Sequence, residues 1–567
     1  MHIWFSEYES DESDAYGDCP IKDFSTIRQD LIEWSHKFNI SLKALSELLK
    51  ILTNVCDVPT DARTLLKTPR NSDVVELGNG KFAYFGIRSK GDNLRLHIDG
   101  LPLYKSSKTQ FWTIMGAFGK SRPFVIGTYC GNDKPPLQEF LKPLIQEIND
   151  KSFEVDVIIC DSPARSFIKC TKYPGGYSAC DRCIVRGEYV EGRVTYEQLN
   201  CSLRTNESFR NQSDEDHHTN LSPLLQLPLD MIKGFCLDYQ HLVCLGVVRR
   251  ILHYLMTGPF CVRVGDRDIS DISEKLVSLK PFFPSDINRK PRSLREIKNW
   301  KATEFRSFLL YSGPIVLESL SETFYQHFLY LHAAIFILSH KWLCKKFLSE
   351  ARAFLVKFVQ CSSRVYGSTF CVYNVHSLIH LADDMERFDS LDDCSAFPFE
   401  NHMKTIKRKL RSTHHPLEQF SNRTAEEISC EPHVETVTTG MKLLSRHFDG
   451  PIHEDTYTHW NQYKACYNKS VRFSVSHCDA FFFDDKFVCY RIANILSHSK
   501  ETTFLCYVFK KYKSFYTTPL DSKRLNVFVV SSLSKTLSPV FLSEVRFKAC
   551  VFPFRDEFVA FPLLEVC

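Results

Sequence analysis

Between residues 94 and 161 the chain reads strand, strand, strand, helix, strand, and that order constrains the fold more than any other feature of the sequence. Residues 94–104, LRLHIDGLPLY, alternate apolar and polar side chains with the period of a half-buried strand. FWTIMGAFG and PFVIGTYCG follow as two more strands, parted by the short basic turn Lys120-Ser121-Arg122. LQEFLKPLIQEIND then takes up helical spacing, and FEVDVIICD is a β-branched run of the kind buried in parallel sheets. A strand reached through a helix is expected to lie parallel to its neighbour. A right-handed crossover places the strand ending at Asp161 beside the one carrying Asp99.

The flanks differ in character. Residues 1–24 hold the acidic run Glu7-Tyr8-Glu9-Ser10-Asp11-Glu12 and read as a loose acidic N-terminus. Residues 25–80 read as a helical segment, with LIEWSHKFNISLKALSELLKIL apolar at every third and fourth position and an N-cap at Asn39-Ile40-Ser41. These helices are either a packing unit or a helix-turn-helix DNA reader. Residues 81–200 form the first part of an α/β core. Residues 201–375 carry long apolar-periodic segments and read as an all-helical insertion, and 376–425 return to the core with one more helix. Residues 426–470 read as a polar linker, and 471–567 as a small β-rich domain, barrel or sandwich, built of short strands such as TTFLCYVFKKY and LNVFVVSSL. A chain of 567 residues is long enough for several such domains.

Composition narrows the setting. The net charge of +4 is close to neutral, so any case for nucleic-acid binding rests on local patches. The N-terminus MHIWFSEYESDESD has neither the basic nor the apolar region of a secretory signal, and the apolar run 333–338 is too short to span a bilayer. No membrane association is therefore expected. An intracellular, reducing location follows, in which the 22 cysteines are mostly buried thiols.

Three hairpin strands followed by a crossover to a parallel strand is the order of a ribonuclease-H-like core. In it, Asp99 lies within a strand, where a carboxylate among apolar neighbours is costly unless it holds a cation or a partner. The plainer alternative is an Asp capping a turn. Gly100 beside it would let a substrate backbone approach. Asp161 ends a buried strand, the place where α/β sheets put their sites, and it equally suits the N-cap of a helix begun by Pro163-Ala164-Arg165. Two such acids on neighbouring strands can share one or two divalent ions, and oxygen ligands select magnesium or manganese. A third carboxylate is then expected on a later helix. Glu400 opens one after Pro398, and Lys404, Lys407, Arg408 and Arg411 follow on its face at spacings suited to a DNA backbone or to a solvated basic helix. The neighbouring acids Asp383, Asp384, Glu386, Asp389, Asp392 and Asp393 fall in a polar loop and are expected to be mostly solvated. A second basic patch, Arg289-Lys290-Pro291-Arg292 with Arg295, Lys298 and Lys301, lies in the insertion and could track flanking DNA.

Cys180-Asp181-Arg182-Cys183 lies 19 residues past Asp161, and His376-Ser377-Leu378-Ile379-His380 ends 20 residues before Glu400. CxxC plus HxxxH supplies four ligands of the softness and spacing of a closed structural zinc site. Such a site would pin the end of the insertion to the core and fix where Glu400 arrives. A redox CxxC is the rival reading.

The segments 97–100 (HIDG), 160–165 (CDSPAR), 173–183 (YPGGYSACDRC), 238–246 (DYQHLVCLG) and 397–407 (FPFENHMKTIK) together resemble CACTA-type (En/Spm-like) DNA transposases, in order over residues 90–430. The resemblance implies a DDE/D recombinase: a ribonuclease-H-like α/β core interrupted by a large all-helical insertion. Asp99, Asp161 and Glu400 would be its catalytic, metal-binding carboxylates, and Cys180, Cys183, His376 and His380 its zinc ligands. Asp238 and His241 match a further motif and are expected to support the active site or the packing of the insertion. The implied activity is DNA strand cleavage and strand transfer with two magnesium or manganese ions, acting on double-stranded transposon ends and target DNA. The implied assembly is a homodimer or higher complex on DNA, in the nucleus if the source is eukaryotic. No zinc-finger DNA reader is recognisable at either end. A domesticated derivative, catalytically silent and acting as a DNA-binding or chromatin protein, is the alternative.

Overall fold

The computed structural model describes residues 24–70, 72–88, 91–429, 441–452, 459–499 and 501–564. The acidic run at 7–12 lies outside them. The chain divides into two compact units, one of residues 1–74 and 406–435, the other of 75–405 and 436–567.

The first unit is helical: Phe24–Lys37, Leu42–Leu52, Ala62–Leu65, the last residues of Phe397–Lys409, and Pro416–Ser429. Ser41 caps the second helix by accepting from the Ala44 N–H at 3.1 Å. Ile32, Leu45, Leu49, Val58, Ala62, Leu65 and Leu66 form its core. Asn39 Nδ2 donates to the Arg408 carbonyl at 2.7 Å, and Lys409 pairs with Glu427 at 2.6 Å, so the end of the basic helix belongs to this unit. The expected helical segment 25–80 ends sooner than its boundary. Val74–Leu77 (β1) and Gly80–Tyr84 (β2) are strands.

The second unit contains a six-stranded sheet. After β1 and β2 come β3 (Leu94–Pro102), β4 (Gln110–Phe118), β5 (Phe124–Gly131) and β6 (Val155–Ile159), in the spatial order β1-β2-β5-β4-β3-β6. β2–β5, β5–β4 and β4–β3 pair antiparallel, and β6 runs parallel to β3 with His97 opposite Ile159. The crossover helix Leu137–Lys151 buries Phe140, Leu141, Leu144, Ile145 and Ile148 on one face against the sheet. Each such side chain contributes about 2 kcal/mol of burial, which holds β6 beside β3.

The region 201–375 is not all helical. Residues 211–239 are largely irregular, and Phe209, Leu224, Leu229, Met231 and Phe235 join the core of the sheet. Phe235 makes a parallel bridge to Ile158, and the Ile158 N–H donates to the Gly234 carbonyl at 2.8 Å, extending the sheet beyond β6. The helical part begins at a π-helical segment, Gln240–Val248, and continues through Arg249–Thr257 to Glu322–Leu338 and Lys341–Tyr366. The apolar run 333–338 is core, and among the described residues no helix is long and apolar enough to cross a membrane.

The C-terminal β region starts earlier than residue 471: Lys442–His447 and Asn461–Asn468 already pair within it. Six of its strands close on themselves. Cys489–His498 pairs with Phe481–Phe483, and the ring continues through Phe547–Phe554, Glu557–Pro562, Phe528–Leu533 and Glu501–Ser514 back to Cys489–His498, all antiparallel. Phe481, Phe482, Phe504, Phe509 and Val551 belong to the buried core of this region. It docks on the helical region through Lys548, which pairs with Asp286, and through Tyr516, which meets His332 Nε2 at 3.0 Å.

His332 and His327 lie buried in Glu322–Leu338, bonded to the Leu309 and Phe358 carbonyls at 2.8 and 2.9 Å. Burial pushes both imidazoles down to about 4, against about 6.5 in an unfolded chain. Folded-state values below the unfolded value mean that the stability they permit is complete above about pH 6.5 and is lost as the pH falls through about 4. The urea midpoint should therefore drop between pH 6.5 and 4.5, and His332→Gln should make that drop shallower than in the parent. An unchanged slope would show that these rings are not held neutral.

Candidate active site

Asp99 sits on β3 opposite Thr113 of β4, and one carboxylate oxygen accepts from the Gly100 N–H at 2.7 Å. Gly100 is not an opening for substrate: a Cβ there would lie 3.1 Å from the Trp112 indole, so the ring takes that space. Asp161 follows β6 and caps the helix Ser162–Lys169, its Oδ1 accepting from the Ala164 N–H at 2.7 Å. The cap uses one oxygen and leaves the other for a ligand. Glu400 lies in the first turn of Phe397–Lys409.

Two contacts set where Glu400 falls. His97, two residues before Asp99 and so on the same face of β3, stacks on Phe399 with ring centroids 4.9 Å apart. Asp238, fully buried, accepts from the Ala396 N–H at 2.8 Å just before the helix begins. The same carboxylate accepts from the His241 N–H at 3.0 Å and from the His241 ring Nδ1. His241 Nε2 then stands 3.9 Å from Glu400 Oε1. The Asp238–His241 pair thus links the π-helical segment to the start of the Glu400 helix.

The electrostatics are those of crowded acids. Burial raises Asp99 well above the usual carboxylate range, and Asp161 and Glu400 raise it further. Burial also raises Glu400, with His241 opposing. Burial alone would lower His241, but Asp238, Glu400 and Asp161 outweigh it and hold the imidazole up at about 9, so the ring is a cation. Four carboxylates face one imidazolium in a poorly solvated place. That excess negative charge, on oxygen donors, suits a hard divalent cation.

The second cluster is tighter. One ligand atom each from Cys180, Cys183, His376 and His380 lies within 4.8 Å of the others, and all four residues are buried. Cys180 Sγ and Cys183 Sγ are 3.6 Å apart, and Cys183 Sγ and His376 Nε2 3.3 Å. Tetrahedral zinc, at its usual bond lengths, sets these separations at about 3.7 and about 3.5 Å. Burial opposes a thiolate at Cys180, but hydrogen bonds from Cys183, His376 and His380 prevail and bring that thiol well below its ordinary value. The cluster is tied to the acids through Asp181. Its carboxylate pairs with Arg165 at 2.8 Å and Lys169 at 3.1 Å, both on the helix that Asp161 caps, and accepts from Tyr373 Oη at 2.8 Å in the helix that carries His376.

Other expected residues are placed differently. Lys404, Lys407 and Arg408 are exposed, and Lys404 donates to Asn401 at 2.8 Å. Arg411 donates to Asn39 Oδ1 at 3.2 Å and to the Ile40 carbonyl, so one nitrogen of its guanidinium is held within the first unit. Part of the basic patch around 289–301 is engaged within the fold, while Arg289, Lys298 and Lys301 are exposed. Lys290 donates to two carbonyls, Arg292 pairs with Glu304 at 2.7 Å, and Arg295 with Asp266 at 2.9 Å. Two acids expected in solvent are buried in ion pairs: Asp384 with Arg182 at 2.6 Å and Asp392 with Arg306 at 2.9 Å. Of the residues missed in the sequence, Asp181 lay in plain view between the two thiols, and His97 and Phe399 each adjoin a catalytic candidate.

A domain of unknown function, DUF8592, matches residues 446–563, which is the β-barrel region. No curated protein matches the chain.

Proposed function

We propose that this chain cleaves and joins DNA strands as a DDE-type transposase with a ribonuclease-H-like core. The observation that carries the reading is the approach of Asp99, Asp161 and Glu400, from β3, the end of β6 and a helix start, close enough for Asp161 and Glu400 to raise Asp99. The strand order supports it, with antiparallel β5-β4-β3 followed by parallel β6. Two magnesium or manganese ions, when bound, supply the charge that polarises the attacking and leaving oxygens of an in-line phosphoryl transfer. The protein's part is positional. The cap at Asp161 and the strand at Asp99 fix two carboxylates, and Asp238, His241 and the His97–Phe399 stack aim the third. The exposed Lys404, Lys407 and Arg408 give the Glu400 helix a cationic side for a phosphate backbone. Cys180, Cys183, His376 and His380 would hold a structural zinc that ties the Glu400 end of the chain to the core. The functional assembly on DNA is proposed to be a dimer or higher.

The test is incubation of the full chain with labelled duplex DNA and with a DNA–RNA hybrid. Cleavage of the duplex in magnesium or manganese, and none with a chelator, is expected. Cleavage of the hybrid alone would make the chain a nuclease of another kind. Binding of duplex without cleavage of either would favour a silent DNA-binding derivative.

A further inference from the structure

A cleft of about 660 Å³ lies where three pieces of the second unit meet. They are the hairpin of β7 (Glu188–Val190) and β8 (Arg193–Thr195), the end of the π-helical segment running into Arg249–Thr257, and the stretch 369–374 that leads to His376. Arg193, Arg249, Arg250 and His253 line it, and among the described residues Glu191 is the one carboxylate in its wall. Arg250 is committed to the fold, donating to the Phe370 carbonyl and to Tyr254 Oη, each at 3.0 Å. Arg249 is exposed, and its guanidinium makes no hydrogen bond or ion pair among the described residues. Arg193 is exposed and, among the described residues, its guanidinium donates to Tyr254 Oη alone, at 3.4 Å. The Asn374 amide fills the place that a Cβ on Gly246 would take, which brings further hydrogen-bonding capacity to the wall. Burial, then Arg249 and Lys298, hold His253 below its ordinary value.

Cations gathered around a concavity with so little acid nearby are arranged for an anion. Guanidinium groups match phosphate oxygens in shape as well as charge. The π-helical segment carries His241, beside Glu400, near its start, and Arg249 directly follows its end. A π-helix rises less per residue than the ~1.5 Å of an α-helix, so eight residues span about 9 Å, or roughly three base steps at about 3.4 Å each.

We propose that this cleft is a phosphate-binding site that takes the backbone of a DNA strand a few nucleotides from the bond cut at Asp99, Asp161 and Glu400. Its place relative to the cut rests on the proposed function; its phosphate chemistry does not.

The test compares the full chain with its Arg193→Ala, Arg249→Ala double variant, both positions being exposed and the fold checked by melting. Duplex affinity is measured against salt concentration, and inorganic tripolyphosphate is added in a separate thermal-shift arm. The variant should bind duplex about tenfold more weakly at about 0.1 M salt, and its log–log salt slope should be shallower by about one per arginine removed. Tripolyphosphate should raise the melting temperature of the parent and not of the variant. Unchanged slope together with an unchanged tripolyphosphate response would overturn the proposal. A lost tripolyphosphate response with unchanged duplex binding would overturn the DNA placement and leave a site for free polyphosphate. A parent that binds no duplex, yet is protected by tripolyphosphate through these arginines, would refute the proposed function and keep the phosphate site.

Discussion

Asp161→Asn is expected to abolish magnesium-dependent strand cleavage while the protein stays folded. Asparagine keeps an oxygen that can accept from the Ala164 N–H, so the cap on Ser162–Lys169, worth about 1 kcal/mol, survives. What it removes is the charge. A loss of several kcal/mol of transition-state stabilisation corresponds to about a thousandfold or more in rate. Asp161→Ala would confound the two, since it also breaks the cap. Asp99→Asn should be equally inactive but should melt higher than the parent in a chelator at neutral pH. Its carboxylate is raised by burial and by two neighbouring acids, so the ionised form works against the fold. A variant that gains stability while losing cleavage separates a functional acid from a structural one. Retained cleavage in Asp161→Asn would remove Asp161 from the site.

Cys183→Ser should release one zinc per chain, counted by elemental analysis, and lower the melting temperature by roughly 5–10 °C, since a structural metal contributes directly to folding. The four ligands are buried, and without a metal two thiols and two imidazoles are left facing one another. The loosened segment includes His376 and His380 and leads to the helix of Glu400, so cleavage should fall as well. Cys170→Ser, at a half-buried thiol outside the cluster, should change neither zinc content nor melting. Absence of zinc in the parent, with an unchanged melt in Cys183→Ser, would contradict the assignment and favour the redox reading of the thiol pair.

Much of this arrangement was legible in the sequence, for identifiable reasons. β3, β4 and β5 announce themselves because each is long and apolar, β6 because it is a β-branched run, and the crossover helix has a clean buried face. The four Cys and His residues were suggested by their spacing and assigned together through the resemblance. The edge strand β1 was read into the helical segment because it spans only four residues and carries little apolar pattern. The piece around Phe235 has no strand period at all, since a single bridge to Ile158 holds it in the sheet. The barrel was begun too late because Lys442–His447 is a mostly polar edge strand that gains its place only by pairing with Asn461–Asn468. Arg292 and Arg295 of the basic patch at 289–301 read as free charges because their partners Glu304 and Asp266 lie at other points of the chain. Periodicity reports which side chains are buried, and it is silent on which charges meet. For the same reason Asp384 and Asp392 read as solvated although each is buried against an arginine.

The central claim is that Asp99, Asp161 and Glu400 form one divalent-metal site. Anomalous diffraction from crystals of the full chain soaked in manganese tests it most directly. The account predicts a manganese peak bounded by these three carboxylates, and its disappearance in Asp161→Asn. Manganese elsewhere in the crystal, with no peak among the three, would contradict it.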